Sequence, residues 1–270
     1  MPKLEELAIS IDNPVNGAAL EWPADQLPAP SNLQSLDLNF LREEHLAPVL
    51  ARATQLKTLK WNWWYNPQAD SQFVNLTINL DNIATALSHV QGTLTHLVLT
   101  ASVWPSSICR RPSLRMTGSL AGLATFDSLT TLEIPAPMLF GSLEDPEPAD
   151  GCQQMQTCLP RNLETLRVMD YLTGTHHLDM WGSRRLGPLI VLWMQDWRAS
   201  TPRLRRFHLL LGPGGHKQTW PYGVKQNLKL AVEQAGLEFE LHHEEHNFAH
   251  IGPRKFWATL GRYERYSLTA

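Results

Sequence analysis

The residues best suited to metal chemistry form the run His-His-Glu-Glu-His at 242–246, whose His-x-x-Glu-His order some zinc hydrolases use. In that chemistry two histidines on one helical face hold the ion, the glutamate acts as base and a distant residue is the third ligand. Here the run continues the alternation of Leu237, Phe239 and Leu241, which predicts a strand. We therefore expect a solvated polar cluster, no metal site and no cofactor, and keep a metal-dependent hydrolase using His242, Glu245 and His246 as a remote alternative.

Other catalytic motifs are weak. The Gly-Pro-Gly-Gly-His-Lys run at 212–217 is rich in glycine, but it lacks the order of a phosphate-binding P-loop, and its proline removes a backbone donor. A wide turn is the better interpretation. The G-x-S-x-G pattern of serine hydrolases is absent from the sequence. We expect a protein without enzymatic activity.

A cluster of aromatic residues offers a different function, because such side chains are enriched where proteins bind each other. The cluster holds Trp61, Trp63, Trp64 and Tyr65. The spacing of Trp61 from Leu59 predicts a core position, and Trp63 fits a core or an exposed position. Trp64 and Tyr65 are the surface candidates for binding a partner.

Composition narrows the possible partners. The chain is 43% hydrophobic and 18% charged, with a net charge of -3, which predicts a folded protein. Basic residues are interspersed with acidic ones, so neither nucleic acid nor a membrane surface is an expected partner. Three cysteines without framework spacing indicate free thiols in a reducing compartment. We expect an intracellular protein, cytoplasmic or nuclear.

The elements that would position these residues come from a repeat. Its L-x-x-L-x-L core is clearest at Leu163, Leu166 and Val168, and copies start at 4, 33, 56, 94, 129, 163 and 204 before a last strand at 237–241. One strand cannot bury its apolar face, but stacked copies share a core. The pattern predicts an α/β leucine-rich repeat solenoid, with a curved, mainly parallel sheet on the concave side and helices and irregular loops on the convex side.

The connections between copies predict helices at 42–54, 81–90, about 120–126, 186–199 and 224–234, with Gly92 and Gly236 as C-terminal caps. The acidic, proline-containing stretch 141–151 predicts an exposed loop. We expect one domain, in which residues 1–246 form about eight irregular repeats and 247–270 close the end of the stack.

The alternation within each strand separates two sets of side chains. The inward set should be almost fully buried and comprises Leu7, Ile9, Leu36, Leu38, Leu59, Leu97, Leu99, Leu132, Leu166, Val168, Phe207 and Leu209. The outward set is mixed in sign, which suits a protein partner better than nucleic acid. The predicted partner-binding residues are Asp37, Asn39, Lys60, Asn62, His96, Glu133, Arg167, Met169, Arg206, His208 and Glu240, with Trp64 and Tyr65.

The repeats LETLRV at 163–168 and LTTLEI at 129–134, with EQAGLEFE at 233–240, resemble the repeat region of fungal F-box and leucine-rich repeat proteins. In that family an F-box binds the Skp1 adaptor of a ubiquitin ligase and the repeats present the substrate. No segment of F-box size precedes Leu4, so a Skp1-type adaptor is expected only if an F-box lies upstream.

The resulting prediction is a non-catalytic protein-recognition module, similar to the substrate-binding part of such a receptor. Arg167 and Arg206 on neighbouring repeats could share one carboxylate or phosphate, which points to an acidic or phosphorylated segment of a partner. The alternative to ligand binding by Arg167 is that Glu133 already neutralises its charge. A structural repeat protein, or a truncated gene product without a dedicated partner, is the alternative function.

Overall fold

The computed structural model describes residues 4–11, 32–65, 77–103, 115–140, 148–170, 186–211 and 220–243. It shows an α/β fold whose main sheet has eight strands in the order β1-β2-β3-β5-β7-β8-β9-β10, every pair parallel. A second, two-stranded parallel sheet joins β4 and β6. The strands are β1 Glu6–Ser10, β2 Ser35–Asn39, β3 Thr58–Tyr65, β4 Thr77–Asn79, β5 His96–Val103, β6 Arg115–Thr117, β7 Thr131–Pro135, β8 Thr165–Met169, β9 Arg206–Leu211 and β10 Glu238–His243.

Helices connect the strands. They are α1 Leu46–Leu50, α2 Leu80–Ser88, α3 Ala136–Phe140, α4 Pro148–Cys158, α5 Leu186–Trp193, α6 Trp197–Ser200 and α7 Tyr222–Gln234, with 3-10 turns at Glu43–His45 and Ala121–Thr125. Gly236 has φ of +85° and ends α7 as predicted. The prediction for Gly92 was wrong, because α2 is capped at His89.

The predicted loop at 141–151 was wrong from Pro148 onward, where α4 begins. Proline suits the first position of a helix, since its fixed φ is helical and its missing N–H has no partner there. Cys152, Met155 and Cys158 recur on one side of α4 and are buried. The acidic residues before the helix concealed this short apolar stripe. The predicted helix at 186–199 is divided into α5 and α6.

The predicted inward ladder is largely confirmed. All of its members are buried except Leu7 and Ile9, and those two predictions were wrong because β1 is the edge strand, with β2 as its single neighbour, among the strands in the described ranges. Ile9 is 38% exposed, whereas Leu166 on the central strand β8 is 0% exposed. The buried strand and helix residues form one hydrophobic cluster.

A backbone junction recurs where each strand begins. The carbonyl of Gln34 accepts the N–H groups of Lys57 and Thr58, and the carbonyl of Lys57 accepts those of Thr95 and His96. The same two-donor arrangement occurs at four further carbonyls, those of Glu5, Thr95, Thr130 and Glu164. Each of these carbonyls belongs to the residue before a strand of the main sheet, so successive strands are set in register by one repeated contact.

A polar side chain adds a second repeated contact in the middle of the sheet. The residue before the first leucine of three successive copies donates to a carbonyl of the preceding copy. The bonds run from Thr93 Oγ1 to Thr54 O (3.3 Å), from Ser128 Oγ to Gly92 O (2.9 Å) and from Asn162 Nδ2 to Asp127 O (2.6 Å). Equivalent positions therefore carry equivalent contacts.

Two indole groups bind carboxylates at the ends of strands. Trp63 Nε1 donates to Glu43 Oε2 at 2.9 Å, and Trp220 Nε1 donates to Asp170 Oδ2 at 2.6 Å. Glu43 is buried, and its Oε1 also accepts the backbone N–H of Asn79 at 3.1 Å. A buried carboxylate is stable only when its oxygens are hydrogen-bonded in this way.

The structure tests the predictions for the cysteines and for the C-terminal segment only in part. Cys152 and Cys158 are free and buried, and burial raises the pKa of both thiols. Cys109 and the predicted closing segment 247–270 lie outside the described residues. Among the helices in the described ranges, none has both the length and the apolar character needed to cross a bilayer.

Candidate binding face of the sheet

Six of the thirteen predicted binding residues fall on one line across the outer face of the sheet, the face away from the hydrophobic cluster. The strand register pairs them in succession from β2 to β10. Neighbouring strands lie about 4.8 Å apart, so paired residues on one face are adjacent. We call this line the charged row, and it consists of Asp37, Lys60, Val98, Glu133, Arg167, His208 and Glu240.

The central part of the charged row is an ion pair. Arg167 Nη1 lies 3.3 Å from Glu133 Oε2, with the arginine side chain 44% and the glutamate side chain 18% exposed. The alternative given for Arg167, in which Glu133 pairs with it, is therefore present in the structure. An ion pair whose arginine is exposed to this extent contributes modestly to stability.

The first half of the outer face carries a chain of hydrogen bonds that we call the amide ladder. Asn39 Nδ2 donates to Asp37 Oδ1 at 3.0 Å, Asn62 Nδ2 to Asn39 Oδ1 at 3.4 Å, and Thr100 Oγ1 to Asn62 Oδ1 at 3.0 Å. Asn39, Asn62 and Thr100 are register partners on β2, β3 and β5. Their half-buried side chains satisfy one another.

The last two strands bring His208, Glu240 and His242 together. Glu240 Oε2 lies 3.0 Å from His208 Nδ1 and 2.9 Å from His242 Nε2. Burial lowers the pKa of His208; the Glu240 carboxylate opposes this shift, and Arg167, His242 and Arg206 add to it. The hydrogen bond from His242 lowers the pKa of Glu240, helped by the charge of His208. The cluster thus combines a buried imidazole whose pKa is lowered with a carboxylate whose pKa is also lowered.

Parts of the predicted outward set are not solvated. Met169 and His208 are 4% and 5% exposed, so the prediction of an open strand surface was wrong for both. Their register neighbours explain this: Met169 lies between Pro135 and Leu210, which form an apolar row. His208 lies between Arg167 and Glu240, whose longer side chains can cover the ring. His96, Lys60, Arg206 and Glu240 are exposed, as predicted.

The predicted pairing of Arg167 with Arg206 needs a correction. The register pairs Arg167 with His208, and Arg206 with Thr165 and Glu238, so the two arginines are two positions apart along the strands. Both guanidinium groups nevertheless lower the pKa of His208. The register does not place the two arginines side by side.

The aromatic cluster is only partly described. Trp61 and Trp63 are 1% and 0% exposed and belong to the core. Trp61 Nε1 donates to the carbonyl of Leu41 at 2.9 Å. The side chains of Trp64 and Tyr65 lie outside the described residues, and so do residues 244–246 of the His-x-x-Glu-His run.

By sequence, His242 was expected on a strand, with a metal motif shared with Glu245 and His246 as a remote alternative, and its contact with His208 was missed. The signal was present in the repeat register, since positions on successive strands can be aligned from their leucines. Comparison with known proteins adds no family assignment, because no family model and no curated protein matches this chain.

Proposed function

We propose that this chain is a non-catalytic protein-recognition module, built as a leucine-rich repeat solenoid, whose outer face binds an acidic or phosphorylated segment of a protein partner. The observation that carries the proposal is the charged row, which aligns ionisable side chains from six strands on one surface. The strand register, and no single motif, assembles this surface.

The solenoid part of the proposal is supported by regular connectivity. Strands of the main sheet follow the order of the chain, apart from the two that form the small second sheet. The two-donor carbonyl recurs before strand after strand. Such repetition is typical of folds in which each unit contacts mainly its neighbours.

The choice of a protein partner follows from the signs of the charges. Along the charged row Asp37 is acidic, Lys60 basic, Glu133 acidic, Arg167 basic and Glu240 acidic. The phosphate backbone of a nucleic acid favours a binding surface that is positively charged throughout. A protein surface presents charges of both signs and can match a mixed row. The resemblance to F-box proteins supports a role as substrate receptor, with a Skp1-type adaptor as a further partner only if an F-box lies upstream.

The acidic ligand is argued from the region around His208. Arg167 and Arg206 are both exposed, and both act electrostatically on this one ring. A carboxylate or phosphate placed above His208 would be attracted by both guanidinium groups. Charge-assisted hydrogen bonds of this type are stronger than neutral ones.

The test is proximity labelling in the source cell with the parent chain and the double variant Arg167→Glu/Arg206→Glu. We expect the parent to enrich a reproducible set of proteins and the double variant to lose it, because the basic region becomes acidic. Thermal stability should fall by no more than about 1–2 kcal/mol, because the exposed Arg167–Glu133 pair is lost and Arg167→Glu places a like charge opposite Glu133.

The matched control is Arg161→Glu/Arg203→Glu, which reverses two exposed arginines in the turns that precede β8 and β9. It produces the same charge change off the sheet face and should retain the labelled set. If the first double variant keeps every partner, the outer face is not the recognition surface. If the parent enriches no reproducible set, the alternative of a structural repeat protein is favoured.

A further inference from the structure

We propose that His208, Glu240 and His242 form a binding site for one divalent transition-metal ion, with Zn²⁺ as the best-fitting example. The sequence predicted no metal site, and its remote metal-dependent alternative shares only His242 with this set, its other residues being Glu245 and His246. The proposal does not depend on protein recognition by the charged row. It rests on three side chains from two adjacent strands whose potential ligand atoms converge.

The distances between the three ligand atoms suit a metal ion. His208 Nδ1, Glu240 Oε2 and His242 Nε2 are separated by 3.0, 2.9 and 3.4 Å. In a tetrahedral zinc site with bonds of about 2.0–2.1 Å, two ligand atoms lie about 3.3 Å apart. One point can therefore lie about 2.1 Å from all three atoms, roughly 1 Å to one side of their plane.

The two imidazole rings face each other through these nitrogens. Their planes differ by 9°, and their centroids are 5.6 Å apart, while the nitrogens are 3.4 Å apart. The centroid distance exceeds the nitrogen distance by about two ring radii. The two rings therefore meet edge to edge, and both nitrogens point into the gap between them. An ion bound by both nitrogens would lie in or beside that gap.

The strand geometry explains why the three residues converge. Glu240 and His242 are two residues apart on β10, so their side chains point to the same face. His208 is the register partner of Glu240 on β9. His208 is buried, whereas Glu240 and His242 are exposed. The site thus has one fixed ligand below and two ligands that an ion can reach from solvent.

The ligand types select the class of metal. Two imidazole nitrogens and one carboxylate oxygen suit Zn²⁺ and its transition-metal neighbours, while Ca²⁺ and Mg²⁺ prefer sites made of oxygens. Three protein ligands leave at least one position for water or another ligand. The geometry on its own therefore gives an open site and assigns no reaction to it.

Nearby charges moderate the expected affinity. The Glu240 carboxylate favours a cation, and Arg167 and Arg206 oppose one. Arg167 is already paired with Glu133, which offsets part of its charge. The competing explanation is a purely hydrogen-bonded cluster in which both histidines donate a proton to Glu240 Oε2.

The experiment is a Co²⁺ titration of the full chain, purified without a histidine tag, followed by displacement with Zn²⁺. Cobalt reports its coordination through visible absorption bands, so binding is measured without any activity. We expect one equivalent to bind with a spectrum of nitrogen and oxygen ligands and to be displaced by one equivalent of Zn²⁺. The variants His208→Asn, Glu240→Gln and His242→Asn should each weaken binding by about tenfold or more.

Two controls separate this site from other histidines. His96→Ala removes an exposed histidine from the same face of the sheet, and it should leave binding unchanged. His246→Ala tests the His-x-x-Glu-His alternative, which requires His246 and does not use His208. Loss of binding in His246→Ala together with full binding in His208→Asn would overturn the proposal.

Circular dichroism and melting curves establish that each variant is folded. Because His208 is buried, the variant His208→Asn is the one at greatest risk of a folding defect. If it does not fold, the test rests on Glu240→Gln and His242→Asn, whose side chains are exposed in the parent. Absence of a one-equivalent cobalt spectrum in the parent, or an unchanged spectrum in both exposed variants, would leave the hydrogen-bonded cluster as the correct description.

Discussion

The two halves of the outer face differ in how their polar groups are satisfied. On β2, β3 and β5 the amide ladder links Asn39, Asn62 and Thr100 in a chain of neutral hydrogen bonds. On β7 to β10 the corresponding surface holds the Arg167–Glu133 ion pair and the cluster of His208, Glu240 and His242. The contacts described for the first half run mainly between uncharged groups, with the Asp37 carboxylate at one end, whereas those of the second half join ionisable side chains.

This difference contrasts hydrogen bonds between uncharged groups with contacts between ionisable side chains. Half-buried amides that bond to each other hold neighbouring strands in place. Exposed ion pairs contribute little to stability. The acidic-ligand and metal-ion proposals both draw on β8 to β10, although the ionisable side chains of the charged row come from six strands.

The largest effect should come from the inward ladder, which both halves share. Leu36→Ala on β2 and Leu166→Ala on β8 remove side chains that are 2% and 0% exposed. Each should cost about 2–5 kcal/mol, since each leaves a cavity in a packed core. Urea denaturation measures the loss. If one variant kept the parent midpoint, the two halves would not share one core and the comparison would fail.

A smaller effect should come from the carboxylates that bind indole groups. Glu43→Ala removes a buried acceptor used by Trp63 and by the backbone N–H of Asn79, and should cost about 2–3 kcal/mol. Asp170→Ala removes a half-buried acceptor of Trp220, and should cost about 1–2 kcal/mol. Thermal melts of both variants give the order. An equal or reversed order would mean that burial does not set the strength of these contacts.

The smallest effects directly compare the two halves of the outer face. Asn62→Ala should cost about 1 kcal/mol at any salt concentration, because its hydrogen bonds with Asn39 and Thr100 join uncharged groups. Arg167→Ala should cost at most about 1 kcal/mol at low salt and less in 1 M salt, because salt screens exposed ion pairs. Denaturation of both variants at two salt concentrations measures this. A salt-dependent loss in Asn62→Ala would contradict the division into neutral and ionic halves.

Much of the fold could be predicted because leucine spacing determines both strand position and direction of the side chains. From Leu36 to Leu209 every predicted inward residue is buried. The errors have physical causes that spacing does not contain. Ile9 is exposed because its strand is at an edge, and α4 was missed because its apolar stripe is short and follows acidic residues. The strands β4 and β6, three residues each, are too short to show alternation.

The candidate site was predictable to a lesser degree. Alternation identified Arg167, His208 and Glu240 as outer-face residues, but it does not report which long side chains cover their neighbours, and so the burial of His208 was missed. The sequence placed His242 on the last strand, and the only partners it suggested, Glu245 and His246 in a remote metal motif, follow it in the chain. The structure brings His242 beside His208, 34 residues earlier. Contacts between side chains on different strands can be predicted only when all copies of the repeat are aligned. No single motif provides that alignment.

The two-donor carbonyl at the start of each strand has a consequence for how such a chain can change in length. Each junction joins a strand only to the one before it, so insertions in a connection leave the junctions on both sides intact. This tolerance agrees with the unequal distances between successive copies. A single residue inserted between a junction and its strand would instead exchange the inward and outward sets of that strand. Whole connections can therefore vary freely in evolution, while the spacing between a junction carbonyl and the next leucine is fixed.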